Sequence, residues 1–411
     1  MIKDFELLKR NYAKLIVRRG LNLFKGRTVR IFAELDQPQF VNMVAEECYL
    51  AGAKRVHVHW NYGPIERLAC ERISLKELKT LRPHKKEEIK FDIKNNVNYI
   101  FITSEDPYYL KGVDPQRIGL EQLTRRAYFF KAIGGKDRPP FSSVCVPGVK
   151  WAKTLFPKLS DEAAVEKLWQ LIFKASHVNK KDPFANWDKH IDEIDRHAKW
   201  LNNLKIKTLH YTSKNGTDFV VGLLDHYHFR GASHFDFKTR RRYHPNMPSE
   251  ECFTSPHRLK ANGVLCSSKP FAFNGVVIKD ARFVFKKGRI IEVSAKQNEK
   301  FLKQLINKSD AMHYLGELAL VPYSSPINQM GILFLNILYD ENACCHFAIG
   351  EGFPYAHRGY RFLSRKKLQE KGINFADNHI DFMVGTSDLN IVATTKDGKK
   401  VNIFKNGEWA K

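Results

Sequence analysis

The sequence predicts an α/β fold in two parts: an N-terminal α/β domain with a mainly parallel sheet at residues 1–190, and a β-rich α+β C-terminal domain at residues 191–411. Three observations predict this. At 411 residues the chain exceeds the roughly 250 to 300 residues that one hydrophobic core serves. The first half alternates strand and helix patterns, which is typical of a parallel sheet. The second half is rich in strand patterns separated by Asn-Gly turns.

The elements of the first half follow in order. Residues 3–19 have the spacing of an amphipathic helix, and GRTVRIFAEL predicts a strand after Gly26. A helix over Gln39–Leu50, ended by Gly52, precedes a strand in AKRVHVHW, which completes a strand–helix–strand unit. The further elements expected in this half are a strand in VNYIFITSE and helices at residues 118–132 and 160–176.

A polar helix in NWDKHIDEIDRHAKWLNNL leads into the second half. The next stretch, KIKTLHYTSKNGTDFVVGLLDHYHF, predicts two strands joined by a turn at Asn215 and Gly216. Further Asn-Gly turns are expected at Asn262, Asn274 and Asn406. The change in composition places a domain boundary near residue 190.

The net charge of +24 is the unusual bulk property, because 43% hydrophobic and 27% charged residues are ordinary for a globular protein. Such a charge suits polyanionic partners, including nucleic acid and anionic lipid. Basic residues concentrate in FKTRRRYHP and RPHKKEEIK, but they also recur along the whole chain. A basic, mixed surface is therefore the favoured interpretation of the charge.

The sequence predicts a cytoplasmic protein without a membrane span. Its longest apolar region, from Leu318, is broken by two prolines and several polar residues. The N-terminus has no continuous apolar stretch or cleavage site of a signal peptide. The seven cysteines are scattered without a Cys-x-x-Cys pair, which favours reduced thiols and argues against a thiolate zinc site.

Histidines in two stretches of the sequence are possible metal ligands. His57 and His59 share one face of a predicted strand without a carboxylate cluster nearby, so we interpret them as residues of an ordinary sheet face. LDHYHF crowds Asp225, His226 and His228 together and is a stronger candidate. The glycine-rich AIGGKDRPP has neither of the common phosphate-binding patterns.

Four separated stretches make a stronger case together. They are NMPSEECFTSP, LGELALVPYSSP, DENACCHFAIGEGFPYA and NHIDFMVGT. The acids in the first stand between prolines, the acid in the second lies in an apolar segment, and His379 and Asp381 in the last share one strand face. Each feature alone has an ordinary structural explanation. Jointly they supply carboxylates and imidazoles without thiolates, the ligand set of a hydrolytic zinc, cobalt or manganese site.

At these four stretches the sequence resembles the thermophilic metallopeptidase family of the aminopeptidase T and aminopeptidase S type. The motifs occur in the family's order and with nearly its spacing, and weaker similarity extends through NYAKLIV, GLNLFKG, VRIFAEL and AGAKRVHVHW. The resemblance implies a metal-dependent enzyme that hydrolyses the N-terminal residue from short peptides. The metal ligands that it implies are Glu251, Glu317, His346, His379 and Asp381.

Charge balance favours two divalent metal ions (zinc, cobalt or manganese) over one. The carboxylates of Glu251, Glu317 and Asp381, together with a bridging hydroxide, would neutralise two divalent ions. This balance avoids the penalty of several kcal/mol for uncompensated buried charge. It does not by itself exclude a single ion with additional acids.

The resemblance also implies roles for individual residues. Glu317 would take a proton from the attacking water and return it to the leaving amine. The substrate's α-amine would be held by a metal or by an acid such as Glu250. The family's tyrosine, seven residues after His346, is replaced here by Phe353. Tyr355, two residues further, is the substitute expected to stabilise the oxyanion.

The resemblance further implies a homodimer whose interior cavity admits short peptides. Two alternatives stay open. The charge and KTRRRYHP would suit a nucleic-acid-binding protein on a peptidase-like scaffold, although no recognisable nucleic-acid-binding motif accompanies them. The loss of the tyrosine at Phe353 would suit a metal hydrolase that acts on a different amide or ester.

Overall fold

The structure is a computed structural model that describes residues 3–104, 106–114, 117–118, 139–236, 238–273 and 275–411. The chain divides into two compact units. Unit 1 contains the described residues of Met1–His190 and Ser233–Pro248, and unit 2 contains those of Ile191–Ala232 and Ser249–Lys411. The chain therefore changes unit at three places, whereas the change in sequence composition predicts one boundary near residue 190.

The helices of the described residues are α1 (Phe5–Leu15), α2 (Pro38–Leu50), α3 (Gly63–Arg72), α4 (Leu75–Leu78), α5 (Pro83–Lys94), α6 (Val149–Leu155), α7 (Asp161–Ala175), α8 (Pro183–Asn203), α9 (Glu299–Ile306), α10 (Ile337–Asp340) and α11 (Arg365–Glu370). A π-helical turn, Ile16–Gly20, extends α1. Short 3₁₀ turns occur at Asp310–His313, Asn328–Met330, Glu341–Ala343, Pro354–Ala356 and Tyr360–Phe362.

The strands are β1 (Thr28–Glu34), β2 (Arg55–Asn61), β3 (Asn98–Thr103), β4 (Phe141–Cys145), β5 (Ile206–Thr212), β6 (Asp218–Leu223), β7 (His234–Phe235), β8 (Arg242–Tyr243), β9 (Asn246–Met247), β10 (Cys252–Thr254), β11 (Pro256–Cys266), β12 (Phe271–Phe273), β13 (Val276–Ile278), β14 (Arg282–Lys286), β15 (Arg289–Ser294), β16 (Leu315–Leu320), β17 (His346–Gly350), β18 (His379–Met383), β19 (Asn390–Thr395), β20 (Lys400–Lys405) and β21 (Glu408–Trp409).

Unit 1 is built on a parallel sheet with strand order β2-β1-β3-β4-β9. Between β1 and β2, α2 begins with Pro38 at its first position and ends before Gly52, whose φ of 89° suits a helix stop. This arrangement confirms the predicted strand–helix–strand unit and parallel sheet. The helix expected at residues 160–176 is α7, whereas the one expected at residues 118–132 falls almost wholly outside the described residues.

Unit 2 contains an antiparallel sheet of eight strands, ordered β15-β14-β11-β6-β5-β19-β20-β21, and a sheet of four, ordered β10-β16-β17-β18. Aromatic side chains join the two sheets. Phe347 of β17 lies 5.1 Å from Tyr211 and 5.5 Å from Phe219 between ring centroids, and Phe382 of β18 lies 4.6 Å from Phe283. One face of the four-stranded sheet therefore belongs to the core, and the predicted β-rich second half is confirmed.

Some of the predicted Asn-Gly turns are present in the structure and one is not. Turns at Asn215–Gly216, between β5 and β6, and at Asn406–Gly407, between β20 and β21, are confirmed. The turn predicted at Asn262 is wrong, because Asn262 and Gly263 pair inside β11. Gly263 is needed there because its φ is 106° and a side chain would collide with the carbonyl of Asp218. The turn predicted at Asn274 falls outside the described residues.

Among the helices of the described residues, none has the length and apolar character needed to cross a membrane.

A candidate metal centre on the four-stranded sheet

The four-stranded sheet of unit 2 brings all five expected ligands to one place. Glu251 immediately precedes β10, and the other four belong to β16, β17 and β18. In the register of these strands, Glu317 lies opposite Ala348, and Ala348 lies opposite Asp381. Directly opposed residues share a face, and so do residues two positions apart. Glu317, His346, His379 and Asp381 therefore project from the same face.

Alternation along β17 and β18 separates core residues from ligands. Phe347 and Phe382, which contact the eight-stranded sheet, each stand next to a ligand in sequence. The small residues Ala319, Ala348 and Gly350 stand among the ligands on the opposite face. Their lack of bulk leaves room for ligand side chains to converge.

The ligand atoms form two groups that share one residue. Glu251, Glu317 and His346 form the first group, and Glu317, His379 and Asp381 form the second. In each group the possible ligand atoms lie within 4.8 Å of one another. We call the five residues together the ligand cluster. Glu317 is its central carboxylate because it belongs to both groups.

Short contacts fix the arrangement within the ligand cluster. The Nε2 atom of His379 lies 2.9 Å from Oε2 of Glu317 and 3.2 Å from Oδ1 of Asp381. The Nε2 atom of His346 lies 3.2 Å from Oε2 of Glu251. Each imidazole thus directs Nε2 toward carboxylate oxygens.

Backbone carbonyls orient both imidazoles. Nδ1 of His379 donates to the carbonyl oxygen of Glu351 at 2.7 Å, and Nδ1 of His346 donates to that of Cys344 at 3.3 Å. We assign the proton on Nδ1 from these partners. Such a bond leaves Nε2 as the ligand atom and is the usual support of a metal-binding histidine.

The donor set fits a metal ion. His346, Glu317, Asp381 and Glu251 are buried, with exposed fractions of 0%, 4%, 4% and 6%. Within the described residues, Oε2 of Glu251, Nε2 of His346 and Oδ1 of Asp381 make no hydrogen bond of acceptable geometry. Buried polar atoms without hydrogen bonds are rare in native proteins and call for another partner, such as an ion.

The pKa values of the ligand residues in the absence of metal also suit a metal site. Burial raises the pKa of Glu317 to about 7, against the hydrogen bond from His379. Burial opposes charge on His346, but the carboxylates of Glu251, Glu317 and Asp381 together outweigh burial and raise the pKa of His346 to about 10. Burial likewise opposes charge on His379, while Asp381 and Glu317 raise its pKa well above the usual value. Imidazolium ions thus serve as the counter-charges that metal ions would replace.

Gly316 and Gly350 allow the strands to approach closely beside Glu317. The β16–β17 register shifts between Leu315 and Glu317, which makes Gly316 the additional residue of a bulge. A side chain on Gly316 would collide with the carbonyl of Glu351, and one on Gly350 would collide with that of Asn378. The bulge therefore helps to aim Glu317 at the ligand cluster.

Asn342 is a site residue that was not predicted from the sequence. It is fully buried, and its Oδ1 accepts a hydrogen bond of 2.6 Å from the backbone nitrogen of Glu250, next to the ligand Glu251. Its Nδ2 donates to the carbonyl of Leu338 at 2.9 Å and to Oε1 of Glu341 at 3.4 Å. Asn342 therefore joins the loop that carries Glu251 to the segment before β17.

Aromatic rings line the side of the ligand cluster next to His379. The Phe353 ring lies 5.2 Å from the His379 ring, and Tyr355 stacks on Phe353 at 5.2 Å with an interplanar angle of 11°. Phe253 packs edge-on against both Phe353 and Tyr355. The ring in contact with a ligand is therefore that of Phe353, which has no hydroxyl group.

The other sequence candidates lie elsewhere. His59 stacks on Phe32 of the unit 1 sheet, which agrees with the interpretation of an ordinary sheet face. His226 packs against His357 in unit 2. Among the described residues, no group with metal-binding geometry includes any of Asp225, His226 and His228.

Comparison with known proteins gives consistent matches over the whole chain. A sequence model of the thermophilic metalloprotease family (M29) matches residues 6–409. The chain is similar to aminopeptidase PepS of Streptococcus thermophilus, with 34% identity over 412 residues that cover 100% of this chain and 99% of that protein. It is also similar to aminopeptidase 2 of Geobacillus stearothermophilus, with 36% identity and 97% of each chain covered. The structure of wild-type AmpT from Thermus thermophilus superposes with a TM-score of 0.90 at 29% identity, covering 99% of this chain and 100% of that one.

Proposed function

The chain belongs to the thermophilic metalloprotease family M29, and from this premise we propose that it is a metal-dependent aminopeptidase that removes N-terminal residues from short peptides. Three relatives that match over nearly their full length are named as aminopeptidases, which supports hydrolysis of N-terminal residues. The ligand cluster on the four-stranded sheet supports the dependence on metal.

We propose that the ligand cluster holds two divalent metal ions, of zinc, cobalt or manganese. The observation that carries this proposal is the membership of Glu317 in both ligand groups. One ion would be held by Glu251, Glu317 and His346, and the other by Glu317, His379 and Asp381. Two such ions would supply Lewis acidity and an activated, bridging water.

Glu317 is the proposed proton acceptor and donor. Its carboxylate lies at the centre of the ligand cluster, beside the position that a metal-bound water would take. A carboxylate placed there could take a proton from the water and release it to the leaving amine. Tyr355, which stacks on Phe353, is the proposed hydroxyl donor to the oxyanion, and Tyr355→Phe tests that role.

We further propose a cytoplasmic homodimer. All seven cysteines are free thiols, and six of them are buried, which suits a reducing compartment. Light scattering of the purified protein tests the dimer, and a mass of 47.7 kDa would contradict it.

The deciding experiment removes and restores the metal. We expect the protein stripped with a chelator to lose hydrolysis of aminoacyl p-nitroanilides and to recover it with zinc, cobalt or manganese. Elemental analysis should give two ions per chain in the active protein. N-acetylated versions of the same substrates should remain intact. Cleavage of blocked substrates would favour the hydrolase of a different amide or ester, and inactivity with two bound ions would contradict the aminopeptidase proposal.

A further inference from the structure

Glu341 is a fourth carboxylate beside the ligand cluster. It opens the 3₁₀ turn Glu341–Ala343, which begins five residues before His346 and packs against β18. Through Asn342 the same turn is bonded to the backbone of Glu250. The turn is thus fixed between two segments that carry ligands.

The side chain of Glu341 is close enough to the ligand cluster to interact with it electrostatically. Its electrostatic partners are Glu251, Asp381, His346 and Glu317, four members of the ligand cluster. Among the described residues, however, no group with ligand geometry includes Glu341. Glu341 is therefore a neighbour of the ligands and not one of them.

The carboxylate of Glu341 has unused capacity to accept hydrogen bonds. Within the described residues its hydrogen bond is the long one from Nδ2 of Asn342, at 3.4 Å. A carboxylate can accept about four hydrogen bonds. The residue is only partly buried, so a ligand can reach it.

Charge balance indicates what kind of group would occupy this position. The three carboxylates of the ligand cluster and a bridging hydroxide neutralise two divalent ions. Glu341 adds one negative charge in a partly desolvated place, where an unpaired charge costs several kcal/mol. A substrate with a protonated α-amine brings the single positive charge that completes the balance.

We propose that Glu341 binds the α-ammonium group of the substrate and so restricts the enzyme to peptides with a free N-terminus. The inference rests on the proposed aminopeptidase function. Glu250, the acid suggested by sequence, is the weaker candidate because it is buried, at 6% exposure, whereas Glu341 is only partly buried and can meet a substrate. Glu341 is a specificity residue in this scheme and leaves metal binding to the ligand cluster.

The test measures binding of an amine without turnover. Isothermal titration of the zinc-loaded protein with L-leucine and with N-acetyl-L-leucine compares a free with a blocked amine. We expect Glu341→Gln to weaken L-leucine binding at least tenfold, to leave the acetylated compound unaffected and to keep two ions per chain by elemental analysis. Glu341→Asp, which keeps the charge, should retain part of the L-leucine affinity. Glu408→Gln makes the same change at a partly buried glutamate that is bonded to Ser324, outside the ligand cluster. It is the matched control and should bind L-leucine as the unaltered protein does.

Unchanged L-leucine binding by a folded Glu341→Gln protein would overturn the inference, and so would the absence of L-leucine binding by the unaltered protein. Loss of the ions from Glu341→Gln would also overturn it, because Glu341 would then be a ligand. If Glu341→Gln fails to fold, Glu341→Asp decides, since an L-leucine affinity no higher than that for N-acetyl-L-leucine would overturn the proposal. Failure of the proposed function would look different, because the unaltered protein itself would bind no metal or cleave no peptide.

Discussion

Ala348 occupies the middle of the ligand face, opposite Glu317 on one side and Asp381 on the other. It is fully buried, and the side chains of Glu317 and Asp381 flank it on the ligand face, so a larger side chain there would compete with the ligands for space. The space between ligands is therefore a property of a small residue as much as of the ligands themselves.

We predict that Ala348→Val prevents metal binding while the protein still folds. The two added methyl groups would push the carboxylates apart, and overpacking costs about 1 to 3 kcal/mol of unfolding free energy. Elemental analysis should find less than one ion per chain. Ala393→Val is the control, because Ala393 is equally buried in β19 of the other sheet, and it should keep both ions. Full metal content in Ala348→Val would contradict the predicted crowding.

We predict that Glu317→Gln lowers kcat by at least about 100-fold, the usual size of a lost acid–base group. Gln cannot carry the proton between water and leaving amine. Because Glu317 also belongs to both ligand groups, elemental analysis of the same sample should show whether the ions are retained. His226→Gln, which alters an imidazole of the same unit outside the ligand cluster, should keep kcat within about twofold of the unaltered value. Loss of metal from His226→Gln would show that the wrong residues were assigned as ligands.

At the scale of elements, the turn Glu341–Ala343 and the loop before β10 are held together by one side chain. Asn342 accepts from the backbone of Glu250 and donates to the carbonyl of Leu338. The ligand Glu251 directly follows Glu250 in the chain. Its position thus depends on an amide group that never touches the metal.

We predict that Asn342→Ala costs about 1 to 3 kcal/mol of unfolding free energy, because buried backbone groups lose their partners. It should also weaken zinc affinity at least about tenfold by releasing the Glu251 loop, within the range known for groups that support ligands. Asn202→Ala is the matched control, since Asn202 bonds both the backbone nitrogen and the carbonyl of Phe229. It should lose similar stability in urea titrations and keep its zinc affinity. Equal zinc affinities in the two variants would contradict the role of Asn342.

Some elements and site residues were predictable from the sequence, and others were not. Periodicity predicted the parallel sheet and α7, and the ligand residues followed from a resemblance carried by four separate motifs. The prediction of a turn at Asn262 was wrong because Gly263 adopts a positive φ inside a paired strand, and the Asn-Gly sequence is the same in both settings. Asn342 and Ala348 were missed because their importance arises from hydrogen bonding and register between segments distant in sequence. A local sequence pattern does not show which distant segment a residue will contact.

At the scale of the whole molecule, a net charge of +24 acts on every approaching substrate. Long-range attraction raises association rates of oppositely charged ligands and is screened by salt, with a Debye length of about 10 Å at 0.1 M. The charge therefore favours acidic peptides over basic ones without any specific pocket.

We predict that kcat/KM for a tripeptide with acidic side chains falls at least about threefold between about 0.02 M and 0.3 M NaCl, because screening removes the attraction. An uncharged tripeptide should change by less than half as much. Equal salt responses would contradict the prediction.

The same salt series with a fluorescent DNA duplex tests the alternative function. Nucleic-acid binding that persists at about 0.15 M salt, with a steep dependence of affinity on salt concentration, would support it.

The chain leaves unit 1 after His190 and returns to it at Ser233, and this order affects folding during synthesis. Strand β9 completes the parallel sheet beside β4, yet 42 residues that precede Ser233 belong to unit 2. During synthesis the edge of β4 stays unpaired until residues 246 and 247 have left the ribosome. An unpaired edge is a site for association with other chains. A fragment that stops at residue 190 should therefore aggregate, and a nascent chain should depend on chaperones over this interval of translation.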